Sequence, residues 1–187
     1  MARDYEMIKY IRRQMSEYDE RFTNAVIKLF NKMVDAKEHN GCLSNSAMLF
    51  VCARYWGYDA KLCYGLCDNG KHEFYHAWLE IGERVFDIGI YGNSHFSPVY
   101  LDEPIERPVI NCQYNDTPIK YGRFVFDEDW KDADLSRAEN LAIEQYFDNS
   151  ERHILWKIVC SLLDLSSTPD NGKKLREAIK NIVIKPE

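Results

Sequence analysis

The sequence predicts an α+β fold, with helices before and after a small antiparallel sheet. Three observations carry this. Apolar residues recur at helical spacing over residues 7–34. Apolar and aromatic runs at residues 59–66, 74–81 and 84–90 are separated by turn signals and read as strands. From residue 136 onward, helical spacing returns.

The elements follow in order. Ile8, Ile11, Met15, Phe22, Val26, Leu29, Phe30 and Met33 form the first stripe, either one helix or two joined near residues 18–21. The polar stretch 35–41 is a loop, and a second helix runs from about Cys42 to Tyr55. Met48, Leu49, Cys52 and Ala53 lie on one side of it, and Gly57 stands where a C-cap glycine belongs. Asp68-Asn69-Gly70 marks one hairpin and Ile81-Gly82 a second. Beyond Tyr91 the chain is rich in turn residues, with short strands expected at residues 109–113 and 121–126. Ser136-Arg137-Ala138-Glu139 has capping-box form and opens a helix to about Phe147. Ser150 begins another helix, and Pro169 suits the first turn of a last one to about Ile182.

At 187 residues and 45% apolar content, the chain suits one domain spanning 1–187, with room for one core and too little for two. A formal charge of −6 and the lack of a basic face argue against a nucleic-acid partner. The charged N-terminus is unlike a signal peptide, and no apolar run approaches the roughly 20 residues of a membrane helix. A cytoplasmic location without membrane attachment is therefore expected. The six cysteines are scattered among apolar residues, as reduced, buried thiols would be.

One of these cysteines is different. Cys42 follows Asn40-Gly41 at a helix opening, where unpaired N–H groups and the helix dipole favour a thiolate. The same N–H groups can hold the oxyanion formed when a carbonyl is attacked. Strand alternation puts His76, Trp78 and Glu80 on one face of their strand, and Asp87 on the matching face of the next. With a turn at Ile81-Gly82, His76 falls directly opposite Asp87. A carboxylate there fixes the imidazole, leaving its other nitrogen to take a proton from Cys42.

Gly41-Cys42, Ser46, Gly57, Ala60, Gly65, His76-Ala77-Trp78-Leu79-Glu80 and Asp87 together resemble the core motif of the transglutaminase-like superfamily. The pattern is similar to that of its small bacterial members, including the leader peptidases of lasso-peptide maturation. The resemblance spans about residues 38–92. Helical extensions at 3–35 and 136–183 flank it. It implies a papain-like core, with the nucleophile helix packed on an antiparallel sheet. It assigns Cys42 as nucleophile, His76 as base and Asp87 as orienting carboxylate. Asn40 and Gly41 are the nearest candidates for an oxyanion site. Trp78 and Tyr91 either line a substrate groove or belong to the core.

Three other clusters carry residues of chemical interest. Cys63, Cys67, His72 and His76 have superficially zinc-like spacing, but compact zinc modules compensate for a missing core and this chain has one. His95, in a turn-rich loop, is an alternative base without a partner carboxylate. Asp127, Glu128, Asp129, Asp132 and Asp134 lack the central glycine and ligand spacing of a calcium loop. No metal or cofactor is expected.

The function expected is a cysteine peptidase or amidase working through a thioester on a peptide or protein substrate. The same three residues would serve acyl transfer to an amine, and a chain that had lost the reaction would be a binding module. Oligomeric state is not encoded legibly.

Overall fold

The computed structural model describes residues 2–97, 104–122 and 141–184. Among these, seven α-helices and five strands follow the predicted α+β order. The N-terminal stripe is two helices, α1 (Ala2–Gln14) and α2 (Glu20–Asp35). Asp19 separates them, its side chain accepting the Arg21 N–H at 2.8 Å to cap α2. Phe22, Val26, Leu29, Phe30 and Met33 form the buried face of α2.

The helix α3 (Cys42–Tyr55) spans the predicted residues but has no one-sided stripe. Leu43 and residues 45–53 are all buried, because the sheet lies against part of the helix and other helices cover the rest. Ser46 Oγ donates to the Ala77 carbonyl at 3.0 Å, tying helix to sheet. The helix ends in a Schellman motif. Gly57 N–H bonds the Arg54 carbonyl and Tyr58 N–H the Ala53 carbonyl, both at 3.0 Å, with Gly57 at φ +82°.

Next come β1 (Ala60–Asp68), β2 (Glu73–Ile81) and β3 (Arg84–Asp87), an antiparallel meander. In the first loop, Asp68 Oδ1 accepts the Gly70 N–H, and Asn69 Oδ1 those of Lys71 and His72. These asparagine and aspartate turns make the predicted hairpin, with a four-residue loop between Asp68 and Glu73. The second turn is Gly82-Glu83, with φ of 56° and 66°, the positive pair a type I′ hairpin requires. That corrects the expected Ile81-Gly82 turn. Ile81 faces Arg84 and Leu79 faces Phe86, so the register moves by two and His76 is not directly opposite Asp87. A shift of two leaves every side chain on its predicted face. Ala77, Leu79, Phe86 and Ile88 join the core around α3, while Trp78 and Val85 lie on the other side.

The chain leaves β3 at Asp87 and enters α4 (Gly89–Phe96), where a strand end and a loop were expected. The predicted strand at residues 109–113 is β4 (Val109–Gln113). Only β5 (Lys120–Tyr121) stands for the strand expected at 121–126, of which 123–126 lie outside the described residues. The strand order is β4-β3-β2-β1-β5. The sheet curls so far that Tyr121 on β5 reaches Asp87 on β3, three strands away. Cys63, Cys67, Trp78, Val85, Ile119 and Tyr121 fill the concave side.

The C-terminal helices are α5 (Ile143–Asp148), α6 (Ile154–Leu162) and α7 (Pro169–Ala178). The capping-box residues 136–139 and the acidic residues 127–134 lie outside the described residues. At 141–143 the chain pairs with 182–184 through Ile143 N–H to Ile182 O and Ile184 N–H to Leu141 O. That pairing holds back the start of α5 and ends α7 before residue 182. Ser150 precedes a short 3-10 turn, Glu151–His153, rather than opening α6 directly. Among the described residues, no helix is long and apolar enough to cross a membrane.

Candidate active site

Cys42 is the first residue of α3 and is half-buried. Its N-cap, Gly41, makes no side-chain capping bond, so the outward-facing N–H groups of the first turn keep their donor capacity beside the thiol. Asn40 takes a left-handed conformation, φ +62°, and its N–H donates to the buried Asn93 side chain at 2.9 Å. Asn93 belongs to α4, which lies directly on this segment. A Cβ at Gly89 would stand 3.1 Å from Cys42 Cα, and one at Gly92 2.7 Å from the Glu38 carbonyl oxygen. Two glycines three residues apart thus let one helix touch the start of another. Gly41 is equally confined, since a Cβ there would collide with Glu38 Oε1. The Glu38 carboxyl is half-buried, its pKa raised by burial, with Asn45 as a hydrogen-bond partner.

His76 is fully buried on β2, across from Gly65 of β1. Its Nε2 lies 2.7 Å from Asp87 Oδ2, and the ring is the donor because the carboxylate can only accept. Asp87, also fully buried, receives two more bonds: the Ile90 N–H at Oδ1, 3.0 Å, and the Tyr121 hydroxyl at Oδ2, 2.7 Å. The first of these caps α4, so one carboxylate serves both helix and imidazole. Burial alone would push the His76 pKa down. The charges of Asp87 and Cys42, with the hydrogen bond to Asp87, outweigh it and raise the pKa from 6.5 to about 10. With Nε2 committed to Asp87, Nδ1 is the ring nitrogen left to meet the thiol. Nδ1 is buried and makes no hydrogen bond, while the Cys42 sulfur acts on the ring electrostatically. Such bonds commonly tighten only with substrate bound.

Cys42, His76 and Asp87 are therefore brought together, and Asn40 and Gly41 adjoin them. Trp78 and Tyr91 do not line a groove. Trp78 is fully buried against Tyr121, ring centroids 5.0 Å apart, and donates from Nε1 to the Tyr114 hydroxyl. Tyr91 is buried between Phe30 and a stacked His95. The concave face that receives Trp78 is packed, not open. His95 Nδ1 lies 3.0 Å from the Tyr91 carbonyl, on α4 rather than in a loop. The zinc-like set does not converge: Cys63 faces Trp78, Gly65 faces His76, and His72 is exposed in a turn. Among the described residues, no three His, Cys, Asp or Glu side chains could hold a metal ion.

Tyr121 is a site residue with no local signature in the sequence. It was expected on a strand, but nothing local in Ile119-Lys120-Tyr121-Gly122 signals that β5 closes the curl against β1 and reaches β3. Glu38 lies in a stretch whose sequence signals only a polar loop.

In comparisons with known proteins, neither the curated proteins nor the solved structures gave a match. Among protein families, the transglutaminase-like superfamily matches residues 8–101, half of the 187, including Cys42, His76 and Asp87. The chain belongs to the transglutaminase-like superfamily, whose fold is that of cysteine-dependent enzymes.

Proposed function

We propose that the protein is a cysteine hydrolase acting on an amide bond of a peptide or protein. Cys42 sulfur, its proton already held by His76, attacks the carbonyl carbon, and the first-turn N–H groups of α3 hold the oxyanion. His76 then returns the proton to the departing amine, leaving a thioester on Cys42. Water, deprotonated by His76, cleaves the thioester and regenerates the thiol. Asp87 keeps the imidazole turned so that Nδ1 faces the sulfur throughout.

The observation that carries this reading is the buried imidazole, held by Asp87 at 2.7 Å on one nitrogen and influenced by the Cys42 thiol on the other. An isolated structural histidine has no use for a half-buried thiol at a helix opening beside it.

The test is trapping of a covalent acyl adduct at Cys42, by mass spectrometry, after incubation with a library of peptides and carboxamides. Adduct formation that disappears in Cys42→Ala is the expected result. An adduct on another cysteine, or none with any amide, overturns the proposal. Incorporation of an added primary amine into the product, at the expense of free acid, would assign acyl transfer instead of hydrolysis.

A further inference from the structure

We propose that Tyr121 is a positioning residue of this site: its hydroxyl, carried across the curled sheet by β5, holds the Asp87 carboxylate in the orientation that meets His76. The proposal rests on the functional reading above for its catalytic meaning, though not for its geometry.

Asp87 Oδ2 accepts from His76 Nε2 and from Tyr121 at the same distance, 2.7 Å, and both partners come from other strands. The carboxylate is fully buried, so a lost donor cannot be replaced by bulk water. Its remaining bond, from Ile90 N–H to Oδ1, comes from its own chain segment three residues on. Tyr121 is thus the long-range support of the orienting group. Its phenol is suited to that task. Burial and the neighbouring Asp87 hold its pKa well above the usual value, so the O–H stays protonated and donates. The ring itself is fixed by Trp78, and β5 by the Gly122 N–H bond to the Leu66 carbonyl at 2.8 Å.

A second feature points the same way. A Cβ at Gly65 would lie 2.6 Å from the Gly122 carbonyl oxygen. The glycine opposite His76 is therefore also what lets β5 come close enough to deliver Tyr121. Two independent changes should consequently disturb one carboxylate. Tyr121→Phe removes the hydroxyl and leaves the ring. Gly65→Ala leaves the hydroxyl and pushes its strand away.

The experiment follows the His76 ring by side-chain nitrogen NMR across a pH titration. In parallel it measures the rate of Cys42 alkylation by iodoacetamide at pH 7, with circular dichroism as the check on folding. A buried carboxylate deprived of a donor shifts out of its place or takes up a proton, and either withdraws its charge from His76. In Tyr121→Phe the His76 midpoint should fall by about one unit and alkylation should slow about tenfold. Gly65→Ala should move both in the same direction, and it carries the test if the phenylalanine variant does not fold. A folded Tyr121→Phe whose His76 midpoint is unchanged or higher overturns the proposal. A lowered midpoint with alkylation unchanged, or with wild-type Cys42 inert, keeps the contact but overturns the catalytic reading on which its meaning depends.

Discussion

His76 and Asp87 meet at 2.7 Å as diagonal neighbours, two positions apart in the β2–β3 ladder. Continuing the register from Leu79 and Phe86 would set Asp87 across from Trp78. The twist between strands and the reach of the two side chains close the diagonal. Because both groups are buried, the charge on one depends on the other.

The pH dependence of stability follows from that pair. The folded His76 binds its proton up to about pH 10, whereas an unfolded histidine releases it near 6.5. The stabilisation is complete below pH 6.5 and is lost as pH rises toward 10, since the folded state then holds the extra proton. Urea unfolding at pH 6, 8 and 10 should show midpoints that fall steadily, and a flat profile would contradict the raised pKa.

Replacing Cys42 by alanine should abolish iodoacetamide labelling at neutral pH and alter stability by no more than about 1 kcal/mol, the residue being half-buried. Cys52 and Cys67 should stay unlabelled in the native protein, because burial raises both thiols far above their usual range. Peptide mapping of the alkylated protein checks both statements.

Asp87→Asn keeps the shape but removes the charge facing the imidazole. The His76 pKa should drop toward or below its ordinary value, and turnover should fall about 10²–10⁴-fold, the span of general-base catalysis. Kinetics at several pH values, with a histidine NMR titration, would register the change.

Gly92→Ala brings a methyl group to 2.7 Å from the Glu38 carbonyl and 2.8 Å from Met33 sulfur. The clash should cost about 1–3 kcal/mol and slow Cys42 alkylation by shifting the loop ahead of it. Gly57→Ala, at φ +82° with open space around it, should cost about 1 kcal/mol of strain without touching reactivity. Calorimetry and alkylation rates on the two variants separate the effects.

Much of this architecture is written in local pattern. The span of α3, the Gly57 terminator and the side-chain faces of β2 and β3 all follow from periodicity and turn chemistry. What periodicity cannot express is contact between distant segments. Gly89-Ile90-Tyr91-Gly92 looks like strand end and loop because glycine disfavours a helix. Yet α4 forms there, each glycine giving the space to rest on Cys42 or Glu38. Trp78 fits an open aromatic wall as well as a core, and only the closure of β5 decides between them. The two-residue turn lies one position beyond Ile81-Gly82, because Glu83 adopts a positive φ that its side chain does not advertise.

The double duty of Asp87, which tethers Ile90 as well as His76, has a consequence for anyone redesigning the protein. In many enzymes, neutralising a functional group relieves strain and yields a sturdier, inert scaffold. At position 87 that bargain fails for a truncation such as Asp87→Ala, which silences the chemistry but also takes the acceptor from Ile90 and unpins the helix resting on Cys42. An inert variant that keeps native firmness has to be sought at position 42.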